Sequence, residues 1–201
     1  LFFFFQKSPC FPNMDNISVG TVLIIMLYGC TLLPLPLKWD IRGWTEMHPL
    51  NGPAWSLYYE YIGNILYALF VRKFNKVALS ILVFLAACAT LHLCLTAPNG
   101  DIVGGWALNW EQQYVGFVRL LYPFFAGLLL SRLGWLIRVK KRAFWWCSLM
   151  IVIVLSVPRI GGEDGFWMNG LYEAFCIIFI FPVIVSMGAG GKVTGKRSVG
   201  I

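Results

Sequence analysis

The chain has 201 residues, of which 59% are hydrophobic and only 12% charged, with a mean hydropathy of +0.72. So little polar surface cannot wrap a water-soluble globule, which places the chain in a bilayer. Its net charge of +7 does not imply nucleic acid, because the basic residues sit in short loops between apolar runs and read as a topology signal.

In chain order, the opening LFFFFQKSP lacks the basic flank and small-residue cleavage site of a signal peptide and reads as the tail of a helix cut off upstream. Crossing ~30 Å of hydrocarbon at ~1.5 Å per residue takes about 20 apolar residues. The runs at 17–37, 53–72, 77–97, 114–132, 143–157 and 170–187 are the candidates, the fifth being short. A barrel would need alternating segments about half that long, and none is present. The expected fold is therefore all-α, a polytopic membrane helix bundle of about six transmembrane helices within one domain over 1–201. Pro123 and Pro182 fall inside runs, and each is expected to kink its helix.

Basic residues set the direction. Lys7, Arg72, Lys73, Lys76, Arg132, Arg138, Lys140, Lys141, Arg142, Lys192, Lys196 and Arg197 fall on one side, and Lys38, Arg42 and Arg159 on the other. The first set is expected to face the cytoplasm. Asp40, Glu46, Asp101, Glu111, Glu163 and Asp164 lie in the opposite loops, which are also rich in tryptophan. Trp39, Trp44, Trp106, Trp110 and Trp167 read either as interfacial anchors or as stacking surfaces for a sugar ring.

Arg119, five residues into the fourth run, costs several kcal/mol there unless it finds a partner or water. Counting from the helix ends, Glu60 lies ~10 Å deep, Arg119 and His92 ~8 Å and Glu173 ~5 Å, all in the outer half. Ser56, Glu60 and Asn64 are spaced i, i+4, i+8, a single stripe expected to face protein. Either Glu60 and Arg119 form an ion pair that holds the bundle, or the four groups line a polar pocket that opens outward.

Other motifs fail on their surroundings. GAGGKVTGKR has the glycines and lysine of a phosphate loop, but Arg197 stands where a magnesium-binding hydroxyl belongs and no strand precedes it. Cys88, His92 and Cys94 do not share a helix face, so no metal is expected. The six cysteines read as small buried thiols, and there is no G-x-S-x-G elbow.

Two motifs carry a resemblance. Asn51, Pro53, Trp55, Ser56, Leu57 and Glu60, followed by Asn64 and Tyr67, and then Arg119, Pro123, Phe124, Phe125, Ala126, Gly127 and Arg132, resemble the signature of the integral-membrane acyltransferase family three. The resemblance implies a polytopic enzyme of a bacterial inner membrane. It takes an acyl group, commonly acetyl, from cytoplasmic acyl-CoA to a hydroxyl of a carbohydrate acceptor outside. It also implies an arginine and a histidine on a first helix, the histidine as base. Neither has a counterpart here, so the chain reads as an interior fragment lacking N-terminal and C-terminal helices, with little activity alone.

Such a transfer needs a base for the acceptor hydroxyl and a cation near the thioester oxygen. On this reading Glu60 and Arg119 are the catalytic candidates, Trp55, Ser56, Asn64 and Glu173 bind substrate, and Arg132 meets the coenzyme A phosphates. The alternative is a transporter or flippase for a polar or saccharide substrate, in which the buried charges mark a path. A non-enzymatic membrane subunit is the third reading.

Overall fold

The computed structural model describes residues 17–98, 100–139, 142–160 and 165–191. The opening LFFFF, Lys7, Lys140, Lys141, Glu163, Asp164 and the basic residues of the final segment with its GKVTGKR motif lie outside them.

The helices are α1 (Val19–Gly29), α2 (Ala54–Leu69), α3 (Lys76–Thr96), α4 (Trp110–Leu133), α5 (Ala143–Leu155), α6 (Phe166–Phe175) and α7 (Phe181–Gly190). A π turn, Cys176–Ile180, joins the last two into one helical stretch. Each expected run is thus helical, but only Lys76–Thr96, Trp110–Leu133 and Phe166–Gly190 are long and apolar enough to cross a bilayer. At ~1.5 Å per residue these reach more than ~30 Å, whereas α1, α2 and α5 have 11, 16 and 13 residues. The first run is cut short because Leu32 takes a left-handed φ of 59°. Pro34 and Pro36 then hold their predecessors extended. Many large side chains stand exposed along these helices, Phe84 at 67% and Leu155 at 73% among them, as suits surfaces wetted by hydrocarbon.

The chain divides into two compact units, residues 1–72 with 103–120, and residues 73–102 with 121–201. In the first, the loop after α1 is a built structure. Met47 is its pivot: its N–H donates to Trp106 O at 2.8 Å, and its carbonyl accepts from Leu35 N at 2.9 Å. One antiparallel bridge pairs Glu46 with Ala107. The Asp40 carboxylate accepts from the N–H groups of Arg42, Gly43 and Thr45, a local turn of the kind short acidic side chains favour. Ile25, Leu35 and Ile41 form a small core beside it.

Within the second unit α3 packs on α6, and the approach is close because Gly170 has no side chain to strike the Cys94 carbonyl. Ala86, Tyr122 and Ala126 form a core against Ile177 and Ile178. Pro182 brings no N–H, so the carbonyl of Ile178, four residues earlier, has no α-helical donor. The Tyr122 hydroxyl donates to it at 2.7 Å. Proline at this place is met by a π turn and a side-chain donor, both recognised responses to a broken ladder. Pro123 stays within α4, which is helical from Trp110 to Leu133.

Candidate functional site

Within the first unit, α4 presents Gln112, Gly116 and Arg119, spaced i, i+4, i+7, on one face. Gln112 Oε1 accepts from Gly105 N at 2.6 Å. Gly116 has no Cβ, and one built there would run into the Tyr59 ring. Arg119 Nη1 donates to the Gly104 carbonyl at 2.7 Å, and its guanidinium lies 4.7 Å from the centroid of Trp55, within cation–π range. Gly104 and Gly105 have φ of 147° and 104°, and a Cβ on Gly105 would meet Trp55 at 3.0 Å. Glycine is needed at both positions for the loop to pass under the indole.

This packing sets which stripe of α2 is buried, and the sequence reading is corrected by one residue. Tyr59 and Gly63 are buried and Trp55 half-buried, whereas Glu60 and Asn64 are exposed and Ser56 half-buried. The cause is the glycine on α4: the tyrosine fits the gap it leaves, and burying a tyrosine removes far more apolar surface than burying a glutamate would. Ser56 donates to Pro53 O at 3.0 Å and Asn64 Nδ2 to Glu60 O at 2.8 Å, so both are satisfied on their own helix. The expected meeting of Glu60 and Arg119 does not occur: the carboxylate is on the exposed face, and the guanidinium goes to Trp55 and Gly104.

The second unit holds a separate charged cluster. Arg159 Nη2 lies 3.1 Å from Asp101 Oδ2 and 3.6 Å from Glu173 Oε1, and also donates to Gly100 O at 3.4 Å. Glu173 Oε2 accepts from Ile102 N at 3.2 Å. Asn169 clasps the backbone of Ile160, accepting at 2.9 Å and donating at 3.0 Å. Arg159, Asn169, Tyr172, Glu173 and Cys176 line a recess of about 360 Å³ with apolar neighbours. Glu173 thus lines a mainly apolar recess that holds none of Glu60, His92 and Arg119, the groups expected with it. Arg159 and Asp101, which sequence reasoning treated only as loop charges, stand beside it.

Arg132 Nη1 donates to Phe74 O at 2.6 Å, tying the end of α4 to the loop before α3. Arg142, Trp145, Trp146 and Leu149 line a recess of about 540 Å³ at the start of α5. Among the described residues no group of His, Cys, Asp or Glu is arranged to hold a metal ion. Cys94 and Cys176 are buried, but Cys30 and Cys88 are exposed, so only part of the thiol set is core.

In the Met47 loop, His48 is 6% exposed and its Nε2 faces Leu32 O at 3.3 Å. A carbonyl only accepts, so Nε2 carries the proton, and Nδ1 is a buried acceptor without a partner among the described residues. Burial lowers the His48 pKa from its ordinary 6.5, against the opposing pull of the Leu32 hydrogen bond. Burial likewise raises Glu46, with Arg42 opposing and Asp40 adding to the shift. Arg42 Nη1 lies 3.0 Å from Glu46 Oε2 without the alignment of a hydrogen bond.

Three helices long and apolar enough to cross a bilayer mark an integral membrane protein. A family model described as an acyltransferase domain, that of acyltransferase family 3, matches residues 3–200. The chain belongs to this family, and an acyl donor and an acceptor are its substrates. No curated protein and no solved structure matches it.

Proposed function

We propose that the protein carries an acyl group, acetyl in the simplest case, from acyl-CoA on the side of the basic loops to a carbohydrate hydroxyl on the side of the tryptophan-rich loops. The basic loops then face the cytoplasm of a bacterial inner membrane, as the positive-inside rule favours. The observation that carries this reading is Arg119, fixed between an indole face and a glycine carbonyl within an apolar helix of an acyltransferase chain. In the transfer the acceptor hydroxyl loses its proton to a base, its oxygen attacks the thioester carbonyl, and the coenzyme A thiolate leaves. Negative charge gathers on the carbonyl oxygen at the tetrahedral stage, and a guanidinium whose orientation is already set stabilises it without reorganisation.

Trp55 serves as the platform that holds Arg119. Glu173 and Arg159, in their recess, supply an acceptor and donors for sugar hydroxyls. Glu60, with Ser56 and Asn64 beside it, is the second acceptor-binding candidate. For the donor, the recess of Arg142, Trp145 and Trp146 offers a cation and flat rings suited to phosphate and adenine, and it is a better candidate than Arg132.

The test is transfer of label from acetyl-CoA to a polysaccharide acceptor by membranes containing the full-length protein. Arg119→Lys, which keeps charge but loses the planar fork, is expected to lower kcat by at least ~10-fold, the effect of ~1.4 kcal/mol. Glu173→Gln is expected to raise the acceptor KM with little change in kcat. Unchanged transfer by Arg119→Lys at equal expression removes the guanidinium from the chemistry. Transport without a thioester donor would favour the flippase alternative.

A further inference from the structure

The second unit contains a long groove that the proposed transfer does not use. Its walls are α3, from Ser80 to Leu91, and the α6 to π-turn segment from Trp167 to Phe179, and its volume is about 1060 Å³. Small residues make the floor, Ala87 and Ala174 with Val83. Large ones stand along the rim, Phe84 67% exposed, Trp167 55% and Phe179 59%.

Among the described residues no charged side chain lines the groove. Its hydroxyls are also spent: Ser80 donates to Lys76 O at 2.8 Å, Tyr122 to Ile178 O at 2.7 Å and Tyr172 to Val154 O at 2.9 Å. A polar ligand would lose its hydration there and gain no donor in return. Both walls belong to helices long and apolar enough to cross the membrane, so the medium at the groove is hydrocarbon. From Ser80 to Leu91 the wall rises ~16 Å, about half of the ~30 Å core and so comparable to the length of one acyl chain.

We propose that this groove binds one acyl chain of a bilayer lipid, entering from the leaflet at the Trp167 end and lying between the aromatic rims over Ala87 and Ala174. The chain replaces contacts that a void would forfeit, and the raised rims distinguish the site from the evenly exposed surface of α5.

The full-length protein, reconstituted in vesicles of phosphatidylethanolamine carrying a diazirine near the chain end, is irradiated and its adducts are mapped. Adducts are expected to concentrate several-fold on 84–91 and 167–179 over the more exposed 149–155 of α5. Ala87→Leu, which fills the floor with a branched side chain, is expected to abolish the excess, and Phe144→Leu, outside the groove, to leave it unchanged. Even labelling across the three segments overturns the proposal. So does protection of the groove together with a disulfide between copies at the exposed Cys88, which would assign it to a second chain.

Discussion

Tyr122→Phe removes a single hydrogen bond to a carbonyl whose α-helical donor is missing. The hydroxyl donates to Ile178 O at 2.7 Å, and residue 182, whose N–H would otherwise reach that carbonyl, is proline. Interhelical hydrogen bonds in membranes are worth ~0.6 kcal/mol on average and at most ~1.7. An orphaned buried acceptor costs ~1–3 kcal/mol. With the ladder donor missing, the expected loss lies where these ranges overlap, at ~1–1.7 kcal/mol. The assay is reversible unfolding of the reconstituted protein in mixed micelles of increasing denaturing detergent, read by tryptophan fluorescence. A double-mutant cycle with Pro182→Ala decides the cause, because alanine restores an N–H four residues after Ile178. In that background Tyr122→Phe is expected to cost about half as much or less, a positive coupling that only a shared carbonyl explains. Equal costs in both backgrounds would refute the reasoning and reduce Tyr122 to packing.

Gly116→Ala drives a methyl into the Tyr59 ring and is expected to cost ~1–3 kcal/mol as overpacking. Tyr59→Leu in the same chain should recover most of it in the same unfolding assay. The Met47 loop is expected to loosen in acid. His48 has a folded pKa below 6.5, so the unfolded loop binds the proton first. Its contribution is complete above about 6.5 and is lost as pH falls from there toward the lowered value. Glu46 acts oppositely: its raised pKa means that its penalty appears as pH rises through the unfolded carboxyl range to the raised value. Limited proteolysis at 37–50 should therefore accelerate from pH 7.5 to 5.5, and His48→Gln should flatten that dependence.

The positions of the helices were legible because apolar runs announce themselves, and every expected run contains a helix. Their lengths were less so, since a left-handed Leu32 followed by two prolines ends a run that composition alone would carry to residue 37. The face of α2 was misread by one residue for a reason no local pattern contains. Glu60 drew attention as the charged residue of an apolar helix, but burial was decided by Gly116, 57 positions from Tyr59 in the chain. Asp101 and Arg159 meet across 58 residues, and Glu173 reaches the Ile102 N–H across 71, without a shared periodicity that would link them. Arg119 drew notice as a cation within an apolar run, and it is half-buried with partners. An aromatic face and a carbonyl serve such a cation as well as a carboxylate would, and hydropathy does not distinguish among them.

Glu60 then poses a question that its exposure sharpens. It stands six residues into α2, so ~9 Å along the helix, and both it and Asn64 are exposed. A carboxylate against lipid at that depth would cost up to ~2.5–3.5 kcal/mol. The economical resolution is water: the stripe of Ser56, Glu60 and Asn64 is expected to face an aqueous surface, which a hydroxylated acceptor would also require. In right-side-out vesicles Glu60→Cys and Asn64→Cys should react with a charged, impermeant thiol reagent above the background of the native cysteines, whereas Tyr59→Cys should not. Reaction of Glu60→Cys only with a lipid-soluble maleimide would place the stripe against hydrocarbon, and Glu60 would lose its claim to touch substrate.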